Sequence, residues 1–447
     1  MMFQKIIIAN RGDIAIRILR ACREMGIKTV AVHSVVDENL MHVRFADESV
    51  CIGANRASDS YLNVSAILSA AELTGADALH PGVGFLSENE KFAKIVTEHK
   101  IKFIGPDAKH LGMMGDKIVA KKTMAALGIP VVIGSDGEVK SVEEAIEIAK
   151  TSGYPVLFKA ASGGGGKGMK VANSEAEIQD AFKMAKTEAK ANFGDDAVYM
   201  ERYLSHPRHI EIQIIADSYG NVVHLGERDC SIQRNHQKLM EESPSVALPQ
   251  EAREKIGEIV RKAIKDLGYV GVGTLEFLYE DGEFFFMEMN TRLQVEHCVS
   301  EEVTGIDIVK EQIKIAAGEK LSFEQKDVQF KGHAIEFRIN AEDSETFIPS
   351  PGKIEELHFP GGQGVRVDSH IYRNYNIPPY YDSLIAKIII HAEDRESCLA
   401  KARGALDELV IDGVSTTTEL HKKLIQNKDI IDGNFDIHWL RNNLGSL

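Results

Sequence analysis

Cysteine is scarce in this 447-residue chain: five residues, at 22, 51, 230, 298 and 398, scattered and without a C-x-x-C pair. Neither a disulfide framework nor a zinc site fits that spacing. Positive charge is short as well. With 52 Lys and Arg against 67 Asp and Glu, the formal charge is -15, the reverse of the basic stripe that a nucleic-acid partner needs. No run approaches the ~18 apolar residues of a membrane span. The opening MMFQKIIIANRGD has too short an apolar run for a signal peptide. A cytoplasmic protein with no membrane and no nucleic-acid partner is expected. Repeats, low-complexity segments and flexible linkers are missing too, so the parts of the chain should pack together.

Two nucleotide signatures are also absent. The first strand-to-helix turn holds a single Gly12, and HPGVGFLSEN reads G-x-G-x-x-S, so a dinucleotide fingerprint is not formed. Gly168 follows Lys167 where a Walker A loop would carry Ser or Thr.

What is present has three textures, in a length that allows two or three domains. Residues 1–113 alternate strand and helix: KIIIAN, then RGDIAIRILRACREMG with Ile14, Ile18 and Cys22 on one stripe, then KTVAVHS, and on to KFIGP. That is a doubly wound parallel α/β pattern. Residues 114–330 mix helices, over 141–152 and about 174–191, with hairpins such as HIEIQIIADSYGNVVHL. Residues 331–447 open with the strand GHAIEFRIN, continue through SLIAKIII and close with two helices, a mixed β/α region.

Two stretches carry chemistry. SGGGGKGM, residues 162–169, lies between two expected strands. Consecutive glycines let backbone N–H groups approach an anion closely. Lys167 adds a charge at the tip, and Lys159 on the preceding strand is a natural second phosphate ligand. The other stretch is the hairpin TLEFLYEDGEFFFMEMN running into EMNTRLQVEH, residues 288–297. If the latter is a strand, Glu288, Asn290, Arg292, Gln294 and Glu296 share one face. A solvated edge would explain alternation alone. Two carboxylates, two amides and a guanidinium suggest a working face instead. The oxygen ligands Glu276, Glu288 and Asn290 suit Mg²⁺. A two-residue turn at Asp281-Gly282 would put Glu276 and Glu288 on opposite faces. A three-residue loop with a left-handed Gly282 would put them on the same face, as a metal site requires.

The glycine loop, the lysine pair and the Glu…Glu-x-Asn hairpin together resemble the ATP-grasp superfamily. IANRGD, HPGVGFLSEN, MGDK, SGGGGKGM, ERDCSIQRNHQK, EMNTRLQVEH, RINAED, PSPGKI and PPYYDSLIAK narrow the resemblance to the biotin carboxylases over nearly the whole chain. The resemblance implies an ATP-grasp fold of class α/β and α+β. It has an N-terminal doubly wound domain, a central ATP-grasp region with a mobile lid over about 131–202, and a C-terminal mixed β/α domain. It implies that Lys117 and Lys159 touch the ATP phosphates, with Gly165 and Gly166 in the lid. Glu201, Arg202, Tyr203 and Leu204 would hold adenine with Leu278, and His209, Gln233 and His236 would be further nucleotide contacts. Glu276 and Glu288 would hold one Mg²⁺ (or Mn²⁺), and Glu288 with Asn290 a second. Lys238, Arg292, Gln294 and the Val295 N–H would hold bicarbonate. Glu296 resembles the general base and Arg338 the biotin-binding guanidinium.

The implied activity is ATP- and bicarbonate-dependent carboxylation of biotin through carboxyphosphate, as the first half-reaction of a bacterial-type acetyl-CoA carboxylase. Alternatives are a component of another acyl-CoA or pyruvate carboxylase, another carboxyphosphate-forming ligase, or a nucleotide-sensing module that keeps the fold. No Met-Lys-Met motif and no carboxyltransferase region are seen. A separate biotin carboxyl carrier protein and carboxyltransferase subunits are therefore expected partners of a homodimer. Three positions depart from the family pattern: Val83 for an aromatic, Cys298 for a proline and Asp13 for a glutamate. The first two bear on biotin geometry and rate.

Overall fold

In a computed structural model, the structure describes residues 2–160 and 169–446. The N-terminal part is a parallel sheet of five strands: β1 (Lys5–Ile8), β2 (Lys28–Ser34), β3 (Glu48–Gly53), β4 (Ala78–His80) and β5 (Lys102–Phe103). Their order, β3-β2-β1-β4-β5, is that of a doubly wound fold. Ile6, Ile7 and Ile8 are all fully buried, because a central parallel strand is covered by helices on both faces.

A second sheet positions the site. It joins β9 (Arg208–Ala216), β10 (Val222–Arg234), β11 (Gln237–Ser243), β12 (Gly271–Glu280), β13 (Glu283–Asn290), β14 (His333–Asn340), β17 (Val365–Ser369) and β19 (Leu384–Ala392). Its order is β13-β12-β9-β10-β11-β14-β19-β17, antiparallel throughout. The change of texture near residue 330 is not a break in this sheet, because β11 pairs with β14 in the register Glu241↔Glu336. The small pairs β15 (Gly352–Lys353) with β18 (Asn376–Ile377), and β16 (Leu357–His358) with β20 (Val410–Ile411), complete the C-terminal part. Four α-helices follow β19 among the described residues, rather than the two expected.

A three-stranded sheet, β6 (Val156–Ala160), β7 (Lys170–Ala172) and β8 (Val198–Arg202), carries the helices Val142–Ser152 and Glu175–Phe193. It has its own core around Phe158, Phe182, Val198 and Met200. The expected phosphate loop, with Gly165, Gly166 and Lys167, lies outside the described residues.

Two expectations about the hairpin need correction. The turn is the two-residue kind: Glu280 pairs with Glu283, and Asp281 (φ 52°) and Gly282 (φ 84°) are both left-handed. Glu276 and Glu288 nevertheless stand directly opposite each other, because the register shifts by one residue at Met287. The extra residue sits mid-strand, where a bulge lets two residues oppose one. Nearby, the Phe286 N–H donates to the Pro130 carbonyl at 2.8 Å, so the outer edge of β13 is bridged where the bulge occurs. The second correction concerns 288–297. The strand ends at Asn290, residues 291–296 are irregular, and a helix runs from His297 to Thr304. Successive ligands are therefore placed by a turn, not by strand alternation.

Candidate active site

A cavity of about 970 Å³ opens between the N-terminal sheet, the small sheet and the eight-stranded sheet. Among the described residues, every site position expected from the sequence lines it. At the nucleotide end are Lys117, Lys159, Glu201, Arg202, Tyr203, Leu204, His209, Gln233, His236 and Leu278. At the reaction end are Glu276, Glu288, Asn290, Arg292, Gln294, Val295, Glu296, Lys238 and Arg338. The side chain of Glu201 does not face outward to a base. It is ion-paired with Lys159, and Lys121 lies 3.5 Å away.

Lys238, on β11, organises the centre. Its ammonium donates to Glu211 at 2.6 Å, to Glu276 at 3.0 Å and to Glu296 at 2.6 Å. Glu211 is in turn gripped by Arg228, fully buried, whose Nε lies 2.5 Å from it. Arg228 also donates to Gln213, Ser300 and Thr274, so every part of the guanidinium is engaged. Glu211 and Arg228 were not picked out from the sequence. The signal lay in HIEIQII and ERDC, charged residues inside runs that otherwise read as buried strand.

The carboxylates here are not alike. Burial alone would raise Glu276, but Lys238 and His209 overcome it and hold the group well below the usual range. Its Oε1 also accepts from Asn290 at 2.8 Å and Gln294 at 2.9 Å. Burial, and then Glu276 across the ladder, push Glu288 the other way. Two facing carboxylates of which one is disfavoured by the other are what a divalent cation relieves. Lys117 Nζ, at 3.9 Å from Glu288, supplies part of that charge. Clusters of His209, Glu211 and Glu276 and of Glu211, Cys230 and Glu296 also bring ligand atoms together, but the one carboxylate they share, Glu211, already has both oxygens engaged, by Arg228 and Lys238. The oxygen set Glu276, Glu288 and Asn290 fits Mg²⁺ better.

Glu296 is almost fully buried. Burial opposes its charge, yet Lys238, Arg338 and Arg228 hold its carboxyl well below the usual range. Its second oxygen accepts from Arg338 at 2.8 Å, and Arg338 Nε lies 2.5 Å from Glu241. Arg292 is aimed by Glu88 at 2.8 Å, Asn290 at 2.8 Å and Gln294 at 3.0 Å. Glu88 also accepts from the Thr291 N–H at 3.0 Å. It belongs to HPGVGFLSEN, and its role was not legible because its partner lies some 200 residues away. Lys387, buried, pins the Val295 carbonyl at 2.7 Å, which ties down the residue whose own N–H, in the preceding peptide, was assigned to bicarbonate.

The departures sit around this centre. Val83 lines the cavity, and its carbonyl accepts from Asn10 at 2.7 Å. Cys298 is buried with its thiol 3.1 Å from Lys387 and 3.3 Å from Asp368. Asp13 lies 3.7 Å from Lys387. The turn before residue 298 is thus held by Lys387 on Val295 where a proline is usual.

Family models match the chain almost end to end: biotin carboxylase, N-terminal domain, over residues 2–111; carbamoyl-phosphate synthase L chain, ATP binding domain, over 116–324; and biotin carboxylase C-terminal domain over 336–442. The chain belongs to the biotin carboxylase family. The biotin carboxylase of Pseudomonas aeruginosa is 54% identical over 445 residues, 99% of each chain. One of the subunits of the pyruvate carboxylase of Methanothermobacter thermautotrophicus is 50% identical over 440 residues, 98% of this chain and 90% of the relative. Among solved structures, a Campylobacter jejuni biotin carboxylase in complex with β-γ-ATP is similar with a TM-score of 0.93, at 50% identity, over 98% of this chain and 99% of that one. The biotin carboxylase domain dimer of Hydrogenobacter thermophilus 2-oxoglutarate carboxylase, with MgADP, ADP and bicarbonate, gives 0.92 at 49% identity, over 99% and 98%. In this biotin carboxylase family member, no helix of the described residues is long and apolar enough to cross a membrane.

Proposed function

We propose that the chain carboxylates biotin with ATP and bicarbonate, working as a homodimer. Biotin is delivered on a separate biotin carboxyl carrier protein, and the carboxyl group passes to acetyl-CoA through carboxyltransferase subunits. One observation carries the reading. The Lys238 ammonium reaches Glu276 at 3.0 Å and Glu296 at 2.6 Å, and Glu296 reaches Arg338 at 2.8 Å. The phosphate end, the base and the biotin end are thereby joined by direct contacts.

Each residue then has a task. Lys117 and Lys159 neutralise the triphosphate. When Mg²⁺ accompanies the nucleotide, Glu276, Glu288 and Asn290 would hold it, and it would spread the charge of the transferring phosphoryl group. Lys238, Arg292, Gln294 and the Val295 N–H orient bicarbonate. Binding there competes with Glu296 for the ammonium, which raises the proton affinity of Glu296 when a base is needed. Glu296 accepts the bicarbonate proton as the bicarbonate oxygen attacks the γ-phosphorus, giving carboxyphosphate and ADP. Carboxyphosphate separates into CO₂ and phosphate, and the phosphate takes the ureido N–H proton of biotin. Arg338 donates to the oxygen that becomes negative in the biotin enolate, whose nitrogen attacks CO₂.

The test is phosphate release from ATP with and without bicarbonate, then with free biotin. Release that ignores bicarbonate would sink the reading. Bicarbonate dependence without carboxybiotin would point to another carboxyphosphate-forming ligase. The relatives include part of a pyruvate carboxylase and a 2-oxoglutarate carboxylase domain, so the acceptor is tested by adding candidate transferase subunits with acetyl-CoA, pyruvate or 2-oxoglutarate.

A further inference from the structure

Behind Arg338, away from the bicarbonate ligands, Glu241 on β11 and Glu336 on β14 stand directly opposite each other in the ladder. Both are fully buried. Glu241 Oε1 accepts from Arg338 Nε at 2.5 Å, but Glu241 Oε2 and both Glu336 oxygens have no hydrogen-bond partner in the protein. Lys387 Nζ is the nearest cation to Glu336, at 4.0 Å, and it is also drawn to Asp13 at 3.7 Å and bonded to the Val295 carbonyl. The other groups facing the pair are Glu296, Asp368 and the Cys298 thiol.

Directly opposed residues on a ladder have Cβ atoms ~5 Å apart. Two ionised carboxylates at that separation, with three oxygens lacking donors, carry both the repulsion and the full desolvation cost. A proton added to the pair removes the repulsion and one of the two buried charges.

We propose that Glu241 and Glu336 together hold one proton in the neutral range, and that this single remaining charge leaves Arg338 able to act on biotin. The proposal rests on the reading of Arg338 as the biotin guanidinium. Glu241 and Glu336 are positioning residues. They do not touch substrate; they set how much of the Arg338 charge is already cancelled.

The direction of titration agrees with this geometry. Burial first, then Glu336 and Glu296 against the pull of Arg338, push Glu241 up to about 8. Burial first, then Glu296 and Asp368 against Lys387 and Arg338, push Glu336 up to about 7. When the proton leaves, Arg338 faces two ionised carboxylates of the pair as well as Glu296. Carboxybiotin formation should then fall while bicarbonate-dependent ATP cleavage without biotin persists.

The experiment has two readouts on the full chain, using Glu336→Gln and Glu241→Gln. Infrared difference spectroscopy should show a protonated carboxyl in the parent at neutral pH that vanishes as pH rises through about 8, and that is missing from Glu336→Gln. The pH profile of carboxybiotin formation should fall roughly tenfold per pH unit above that point in the parent. In Glu336→Gln the lone Glu241, bonded to Arg338, keeps a single charge across the neutral and alkaline range, so the fall should disappear. A parent with no protonated carboxyl, or a band that survives both substitutions, overturns the proposal. So does a Glu336→Gln profile identical to the parent's. A parent that shows the band but forms no carboxybiotin refutes the assigned activity and leaves the charge state standing.

Discussion

Replacing Glu296 by Gln keeps the shape of the side chain and removes only its ability to carry and accept a proton. The structure sets two costs. The carboxylate accepts from Lys238 at 2.6 Å and from Arg338 at 2.8 Å, one on each oxygen. A carboxamide can accept from one of these cations but turns an N–H₂ toward the other, so one charge-assisted bond is lost, worth ~1.5–3 kcal/mol. Lys238 retains Glu211 and Glu276, and Arg338 retains Glu241, so neither cation is stranded and the fold should survive. The catalytic cost is larger. Loss of a general base removes ~10²–10⁴-fold in rate, or ~3–5.5 kcal/mol of barrier. The assay is phosphate release with ATP and bicarbonate in the absence of biotin, which isolates the first step, followed by carboxybiotin formation with biotin. Both should fall together. Arg338→Gln should instead spare phosphate release and lower carboxybiotin formation by ~10²–10³-fold. Parental phosphate release from Glu296→Gln would show that another group takes the bicarbonate proton, and the role given to Glu296 would be wrong.

Glu88→Gln should raise KM for bicarbonate severalfold with little change in kcat, because Glu88 and Arg292 are partly exposed (38% and 20%) and such a pair is worth ~1 kcal/mol at most; an unchanged KM would mean that Asn290 and Gln294 suffice to aim the guanidinium. Glu288→Gln should shrink the rise in thermal midpoint given by MgADP while leaving that given by ADP alone, and equal shifts in parent and variant would remove Glu288 from the metal set. Glu242, buried beside His333 and Arg395, is held down to about 2 by those partners against the effect of burial. A depressed folded-state value stabilises the protein above the ordinary 4.5 and loses that stability as pH falls toward 2. Glu242→Gln should therefore flatten the acid limb of thermal stability by ~3 kcal/mol, and an unchanged limb would count against the pairing.

The parallel N-terminal sheet was legible because short apolar runs such as KIIIAN alternate with amphipathic helical stretches, the pattern of strands covered by helices on both faces. The reaction residues were legible through the motifs that resemble the biotin carboxylases, since the alternation in EMNTRLQVEH alone suits a solvated edge as well as a working face. Their geometry was less so. The bulge at Met287 lies beside a contact with Pro130 that is distant in sequence, and a local reading could choose only among turns. Residues 291–296 alternate like a strand, yet they turn away because Lys387, Glu88 and the helix beginning at His297 take hold of them. Glu211, Arg228, Glu241 and Glu336 were hidden within strands that read as core. Only pairing across β9, β10, β11 and β14 shows that they form a second layer beneath the ligands.

The eight-stranded sheet also sets a condition on the chemistry through its shape. Three strand spacings separate β12 from β11, which in a flat sheet is ~14 Å between backbones, and side chains standing roughly perpendicular to a flat sheet would not meet across that gap. Yet Lys238 on β11 touches Glu276 on β12 at 3.0 Å. The sheet must therefore curl into a trough. Its register slips between His224 and Glu227, between Asp229 and Ile232 and on to Gln233, between Glu276 and Phe277, and between Ile339 and Asn340 are where extra twist and bending enter. Gly226, at φ +74° with Phe330 packed where a Cβ would stand, lies within the first of these slips. Curvature thus helps to set how far apart the reacting groups sit, and residues that touch no substrate, Gly226 among them, belong to the bends that produce it.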